Sequence, residues 1–199
     1  MMSPMKKLLA IIILSLCFIT PSQANDIRDF QIEGISIGDS LLGYMSSKKI
    51  KSELERTRPN YSYIDFKYGA VYLQDDLKQY DFLSFFVKPN DKRYLIHGVR
   101  GGIIYNEKLK ECLQKRNEIS EEIDQMFKGA KKIEKSFKSR LDPSGKSFKY
   151  EIAFVLNSGA EITLVCSDWE ENLRKEKNWV ESLSIAIETE NVVNWLKGK

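Results

Sequence analysis

Hydrophobic residues are densest in one N-terminal stretch, residues 8–19, which follows a pair of lysines and precedes residues 22–24, Ser-Gln-Ala. A basic start, an apolar core of about a dozen residues and small residues at the end are typical of a secretory signal peptide. The apolar stretch is shorter than the roughly 20 residues that a membrane-spanning helix needs. We therefore predict a signal peptide over residues 1–24 and an exported mature chain over residues 25–199 without a transmembrane segment.

Two other interpretations of this segment stay open. If it were not cleaved, it would act as an N-terminal anchor, although it has neither extra length nor a charged flank that would stop transfer. Cys17 could instead be lipidated after cleavage. The peptidase that precedes lipidation requires a small residue before the cysteine, and Leu16 stands there.

Hydrophobic spacing predicts a short strand and two helices at the start of the mature chain. Residues 30–37 alternate like a strand, but their two apolar sets fall out of phase at Gly34, which indicates a bulge or bend. Asp39 or Ser40 is expected to cap a short helix, because both residue types accept hydrogen bonds from helical N–H groups. The two serines at residues 46–47 are expected to cap a second helix in the same way.

Strand-like patterns dominate the middle of the chain. Most of residues 61–105 has strand character, and residues 80–87 are apolar on nearly both faces, as in a strand covered on two sides. Residues 93–99 are expected to return as its antiparallel partner. Further along, residues 148–156 and 161–167 flank an Asn-Ser-Gly turn and predict a hairpin. A strand with one apolar face and a C-terminal helix are expected after it.

The order of these elements predicts the fold class. Helices followed by strands, with turns too short for crossovers, indicate an α+β fold in which helices pack on an antiparallel sheet. Residues 25–199 are enough for one domain. The helix-then-strands order occurs in residues 25–105 and again in residues 106–199. Two similar halves would explain this repetition, but hairpins also resemble one another for physical reasons alone, and the sequence leaves both explanations open.

Two cysteines remain once the signal peptide is removed, and their positions predict a disulfide. Residues 109–127 have helical apolar spacing, with Asn106 as the expected N-cap and Gly129 as the expected end, and Cys112 lies on the apolar stripe. Cys166 lies on the apolar face of the strand over residues 161–167. A helix packed on a sheet would bring the two sulfurs together in a compartment that permits oxidation. Two independent buried thiols are the alternative.

Charge and composition exclude several function classes. Of the 31 basic residues two lie before residue 25, and all 28 acidic residues lie after it, which leaves the mature chain at a formal +1. A near-neutral chain gives no electrostatic case for nucleic-acid binding. The only histidine of the sequence is His97, so a histidine-rich metal site is excluded, and we expect neither a metal nor a cofactor.

Several short segments resemble a family of small exported bacterial proteins without an assigned activity. Residues 35–42, Ile-Ser-Ile-Gly-Asp-Ser-Leu-Leu, are similar to the start of that family, and residues 80–81, 94–99 and 166–169 match further landmarks. The resemblance implies an exported α+β protein and no particular chemistry. The order of helices and hairpins also resembles the small lipoproteins of outer-membrane assembly and the tandem fold of secreted β-lactamase inhibitor proteins, a likeness of fold alone.

Residues 38–41, Gly-Asp-Ser-Leu, also resemble the nucleophile block of the Gly-Asp-Ser-Leu esterases, in which Ser40 would be the nucleophile. That family carries an Asp-x-x-His pair near its C-terminus, whereas His97 is in mid-chain and lacks such a partner. A serine without a base is a poor nucleophile. A helix-capping role for Ser40 is therefore the favoured interpretation, and no catalytic residue is assigned.

Two features are candidate binding sites. Asp168, Trp169 and Trp179 bracket a charged segment directly after the Cys166 strand, and tryptophans beside a disulfide-anchored loop suit an interaction patch. Capping of the core by the same tryptophans is the simpler alternative. The basic stretch over residues 131–140 would suit anionic lipid or glycan, with a solvated face as its alternative.

Together these patterns predict an exported protein of the periplasm or the extracellular space. We expect it to be a non-enzymatic binding protein whose partner is an envelope protein or a small ligand. The rival hypothesis is a hydrolase or other enzyme with a carboxylate-based site in a cleft or, as the less favoured option, a site based on Ser40.

Overall fold

A computed structural model of the chain describes residues 26–61 and 65–198. The expected signal peptide lies outside the described residues. Within them the α-helices are α1 (Ser47–Thr57), α2 (Leu109–Met126), α3 (Glu171–Lys177) and α4 (Glu190–Leu196). The strands are β1 (Gly69–Leu73), β2 (Phe82–Val87), β3 (Ile96–Ile104), β4 (Lys131–Lys138), β5 (Phe148–Val155), β6 (Glu161–Asp168) and β7 (Ser182–Glu188). None of the described helices has both the length and the apolar character needed to cross a membrane.

The strands of the described residues form one antiparallel sheet in the order β1-β2-β3-β7-β6-β5-β4. The last strand of each half lies inside the sheet, where β3 pairs with β7 and Val99 lies beside Ile187. The prediction of an α+β fold with helices on an antiparallel sheet is confirmed. That residues 25–105 and 106–199 are similar halves stays a prediction.

One face of this sheet carries the main hydrophobic core. α2 packs across β6 and β7 on this face, with Cys112 and Ile123 buried against the strands. The segment before α1 covers other strands of the same face through its isoleucines and Leu41. Both halves of the chain contribute side chains that are almost completely buried: Ile32, Leu41, Leu83, Phe85, Phe154, Ile162, Leu164 and Ile185.

Helix α1 protects one edge of the sheet. Thr57 donates its hydroxyl to the carbonyl of Ala70 at 2.6 Å, and the backbone N–H of Tyr72 donates to the Glu53 carboxylate at 3.1 Å. These outward-facing groups of β1 would otherwise be open to pairing with another chain. The contacts of α1 therefore end the sheet at β1.

Strand β4 forms the other edge, and all eight of its residues are exposed. Four of them are lysines: Lys131, Lys132, Lys135 and Lys138. Lysines on an edge strand discourage the addition of a second chain. The basic stretch, for which the sequence pattern indicates no element, is therefore largely an edge strand, and its placement favours the solvated interpretation of these lysines.

The short strand expected over residues 30–37 is absent, and of the two alternatives expected at Gly34, a bulge or a bend, the structure has the bend. Ile32 and Ile35 form only an isolated bridge, and the two residues between them, Glu33 and Gly34, have φ angles of 55° and 77°. Two successive residues with positive φ make a tight hairpin turn. The change of phase at Gly34 therefore marks a reversal of the chain rather than a bulge in a continuous strand.

The expected ends of the long helix also need correction. α2 begins at Leu109 and ends at Met126, before Gly129. Asn106 does not cap it, because the Asn106 side-chain oxygen accepts a hydrogen bond from the Glu181 backbone N–H at 2.9 Å. Asn106 thus ties the segment before α2 to the segment before β7.

The predicted disulfide between Cys112 of α2 and Cys166 of β6 is present in the structure. The two Cα atoms lie 6.1 Å apart, and both residues are buried. The bond ties the helix of the second half to the sheet that it covers. It closes a loop with a sequence separation of 54, for which the chain-entropy model gives roughly 4 kcal/mol of stabilisation.

We expect Cys112→Ser to lower the free energy of unfolding by about 2 to 5 kcal/mol, because the unfolded chain would regain its loop entropy. Urea denaturation followed by tryptophan fluorescence measures this change. With reductant present, the difference between the wild type and the variant should largely disappear, which makes the reduced wild type the control. Two titratable thiols in mature protein purified without reductant would contradict the prediction.

Candidate functional site

The sheet has a second face, opposite α2, that helices cover only in part. α4 packs against β3 and β7, and there Val192 and Trp195 join Tyr68 and Phe86 in a small second cluster. Over β4, β5 and β6 no helix of the described residues packs on this face. We call this surface, on β4 to β6 and the adjoining part of β7, the open face.

Small side chains line the middle of the open face. Ala153 of β5 lies opposite Thr163 of β6, which in turn lies opposite Ala186 of β7. Between these strands and α4 is a groove of about 360 Å³. Ala153 and Ala186 are only 7% and 2% exposed, whereas Thr163 between them is partly exposed, so Thr163 is the floor residue that another molecule can contact.

Charged side chains surround this floor, and each carboxylate on it is paired. The described strands place three ion pairs here: Glu188 with Arg100 at 3.2 Å, Glu151 with Lys135 at 2.9 Å, and Glu161 with Lys197 of the C-terminal segment at 2.6 Å. All three carboxylates are therefore engaged within the chain. This arrangement does not offer the pair of free carboxylates that a carboxylate-based enzyme would use.

The ion pair of Arg100 with Glu188 joins the two halves of the sheet, because Arg100 belongs to β3 and Glu188 to β7. Glu188 is only 6% exposed. Burial raises the pKa of Glu188, and the charge and hydrogen bond of Arg100 oppose that shift. Removing one member of a buried pair leaves the other charge uncompensated, so we assign this pair a mainly structural role.

Lys149 of β5 differs from the other cations of the open face. Its ammonium donates to the Ser167 hydroxyl at 2.6 Å and lies 3.8 Å from the centroid of the Trp169 ring. No carboxylate lies within ion-pair distance of it among the described residues. Burial lowers the pKa of Lys149 to about 8, and the charge of Arg100 acts in the same direction.

The structure brings the two predicted tryptophans together. The rings of Trp169 and Trp179 have centroids 4.4 Å apart, and both residues are partly exposed. The Trp169 indole N–H donates to the Val180 carbonyl at 3.1 Å, and its backbone N–H donates to the Glu181 carboxylate at 3.3 Å. The charged segment that the sequence analysis identified between the two tryptophans contains helix α3. Partial exposure leaves both the recognition and the core-capping interpretation of the pair in place.

Asp168 stands at the end of β6, next to Trp169. Burial raises the pKa of the Asp168 carboxyl, and the nearby charge of Glu181 adds to this shift. Neighbouring residues of a strand face opposite sides, so Asp168 and Ser167 do not share a face. Asp168 therefore borders the open face without belonging to it.

Lys149 and Ser167 are not among the residues that the sequence singles out, although a signal for them exists. The turn at residues 157–159 is predicted, and counting outward from it along the two strands places Lys149 opposite Ser167, as observed. The contact of Lys149 with Trp169 could not be obtained in this way. It depends on how the segment after β6 folds back, which the hydrogen bonds of Trp169 to the segment before β7 determine.

The esterase-like motif has a structural role. Ser40 donates its hydroxyl to the Arg93 carbonyl at 2.6 Å and accepts from the Leu42 N–H at 3.4 Å, as the N-cap of the 3-10 helix Leu41–Gly43. His97 packs edge-on against Tyr68, with ring centroids 5.3 Å apart, and burial lowers its pKa. No hydrogen bond joins Ser40 to His97 in the described part of the chain, so the geometry does not support a serine nucleophile here.

Metal-ligating side chains do not gather in the part of the chain that the structure describes. Within it, no group of three or more histidine, cysteine, aspartate or glutamate side chains is placed to hold a metal ion.

The features that distinguish the open face are its floor of short side chains, the ion pairs around that floor and the contact between Lys149 and Trp169.

A scan against models of protein families, a search of curated proteins and a search of solved structures each gave no match. The resemblance to small exported bacterial proteins and the analogies of fold therefore stay predictions from the sequence.

Proposed function

We propose that this chain is an exported, non-enzymatic protein of the cell envelope that binds another protein through the open face of its sheet. The observation that carries the proposal is the uncovered face over β4, β5 and β6, with its floor of short side chains. A sheet covered on one side only, with the other side left to solvent, is common in antiparallel folds. Here that free side also carries aromatic and aliphatic side chains.

Export is supported by two independent features. The N-terminal segment has the length, charge and small residues of a signal peptide. The disulfide between Cys112 and Cys166 suits an oxidising compartment such as the periplasm, because thiols of cytosolic proteins are kept reduced. Neither feature requires the other, and both agree with one location.

The size of the open face favours a protein over a small ligand. β4, β5 and β6 have eight residues each, which gives a length of about 27 Å, and four neighbouring strands span about 19 Å. The resulting area of roughly 500 Å² is a large part of the ~800 Å² that one partner contributes to a standard interface. A small ligand is normally enclosed in a cleft, whereas the open face extends along and across four neighbouring strands.

The chemistry of the open face also suits a protein interface. Ile133 and Phe137 of β4 face this side and are 37% and 39% exposed, and the two tryptophans lie at one end. Aromatic residues with a polar rim are typical of protein-binding surfaces. The described strands and α4 place more cations than carboxylates on this face, since Lys131 and Lys149 add to the three ion pairs. We therefore propose a partner with an acidic contact surface.

Export is tested by the mass of the protein recovered from the envelope. We expect an intact mass that corresponds to residues 25–199 with one disulfide, because cleavage after Ala24 follows the small residues of the site. Ala24→Arg should block this cleavage and serves as the control. Protein that retains Met1, or that carries a lipid on Cys17, would contradict the proposed processing.

The binding surface is tested by placing a photo-crosslinker at one position on each side of the mature protein. Thr163 represents the floor of the open face, and Glu122, an exposed residue of α2, represents the opposite side. We expect crosslinks to one specific envelope protein from position 163 and none to that protein from position 122.

The partner identified in this way then allows a measurement with purified components. Thr163→Arg should weaken its binding by about tenfold or more, because a long charged side chain would fill the floor. Glu122→Arg should leave binding and thermal stability nearly unchanged. Equal crosslinking from both positions, or unchanged binding by Thr163→Arg, would refute the proposed surface.

A further inference from the structure

Lys149 is the one partly buried cation of the described open face that no carboxylate of the chain pairs with, since Lys131, the other unpaired cation there, is exposed to solvent. Arg100, Lys135 and Lys197 each bind a carboxylate of the same chain. Lys149 has in its place one neutral hydroxyl, that of Ser167, and the face of the Trp169 ring. An ammonium has three donors. Two of the Lys149 donors therefore have no hydrogen-bond acceptor among the described residues.

The charged groups that face Lys149 cannot supply that acceptor. Arg100, from β3, carries the same sign and disfavours the charged form of Lys149. Glu151 lies two residues along the same strand and is held by Lys135 of β4. Asp168 follows Ser167 on β6 and has the opposite orientation in the strand.

The surroundings of Lys149 hold its ammonium in place. The 2.6 Å hydrogen bond to Ser167 fixes the end of the side chain, and the ring of Trp169, itself bonded to the Val180 carbonyl, lies 3.8 Å away. Cationic groups are attracted to the face of an indole ring. Partly buried charges are normally paired, so an oriented but unpaired ammonium is suited to an acceptor from another molecule.

We infer that Lys149, with Ser167 and the Trp169 ring, is the receptor for a carboxylate that the partner protein inserts into the open face. This inference rests on the proposed function and adds the chemistry of the contact. The carboxylate accepts hydrogen bonds from the two free Lys149 donors, and its chain lies over the short side chains beside the strand. Either an Asp or Glu side chain or a C-terminal carboxylate supplies this chemistry.

Two peptide probes distinguish these sources. Acetyl-tetraglutamate amide carries side-chain carboxylates only, and acetyl-tetraalanine with a free C-terminus carries one terminal carboxylate. Acetyl-tetraalanine amide, which has neither, is the uncharged control. NMR signals of the Lys149 ammonium and the Trp169 indole of the mature protein report binding and give the affinity of each probe.

We expect one or both carboxylate probes to shift the two signals and the amide control to leave them unchanged. Lys149→Met should weaken binding of the active probe by about tenfold or more. Lys110→Met is the control, since Lys110 is an exposed lysine of α2, which covers the opposite face, and it should change the affinity by less than about twofold. The melting temperatures of both variants show that they are folded.

A second readout does not depend on any variant. Lys149 is charged below its pKa of about 8, so binding of the probe to wild-type protein should weaken as the pH rises through 8 and above. Lack of binding by both probes, or an equal loss of affinity with Lys149→Met and Lys110→Met, would overturn the proposal that Lys149 receives a carboxylate. If Thr163→Arg still abolished binding of the partner in that case, the proposed surface would stand without it.

Discussion

The pairing of β3 with β7 is the interaction on which the rest of the structure depends. Each strand is the last of its half of the chain, and residues 98–104 align with residues 182–188 along the joint. Because of this pairing, apolar side chains from both halves fall on one face and share a single core. The ion pair of the partly exposed Arg100 with the buried Glu188 spans the same joint on the other face.

A continuous sheet has two faces, and the protein uses them differently. The face under α2 is closed by packing and by the disulfide between Cys112 and Cys166. On the other face, α4 packs against β3 and β7, and its aromatic cluster includes side chains of β1 and β2. Stability is thus concentrated on one side, and the open face is free to carry residues such as Lys149 that contribute little to the core.

The parts of the fold that the sequence predicts are those that bury apolar groups. The alternation of Ile162, Leu164 and Cys166 on β6 marks the face under α2, because each inward position must be apolar. The helical stripe with Cys112 marks the matching side of α2. Together they predict the disulfide.

Elements without a buried face cannot be predicted in this way. β4 is exposed throughout, so its lysines interrupt the alternation that identifies a strand. In residues 30–37 the isoleucines are buried from both arms of a tight turn, which imitates a strand with a change of phase.

The candidate site is predictable only in part for a related reason. Asp168, Trp169 and Trp179 attract attention by their residue types, and the structure does bring the two rings together. The role of Lys149 depends on its cross-strand neighbour Ser167 and on the path of the chain after β6. The cross-strand pairing of Lys149 with Ser167 can be predicted from the local sequence pattern, whereas the path of the chain after β6 cannot.

Hydroxyl-radical footprinting of the mature protein in envelope extract tests most directly whether the open face is the side that meets other molecules. Phe137 and Trp179 report on the open face, and Met126, which is 36% exposed at the end of α2, reports on the opposite side. Compared with the purified protein, the extract should reduce modification of Phe137 and Trp179 and leave Met126 unchanged. Protection of Met126 alone, with Phe137 and Trp179 modified as in the purified protein, would contradict the account.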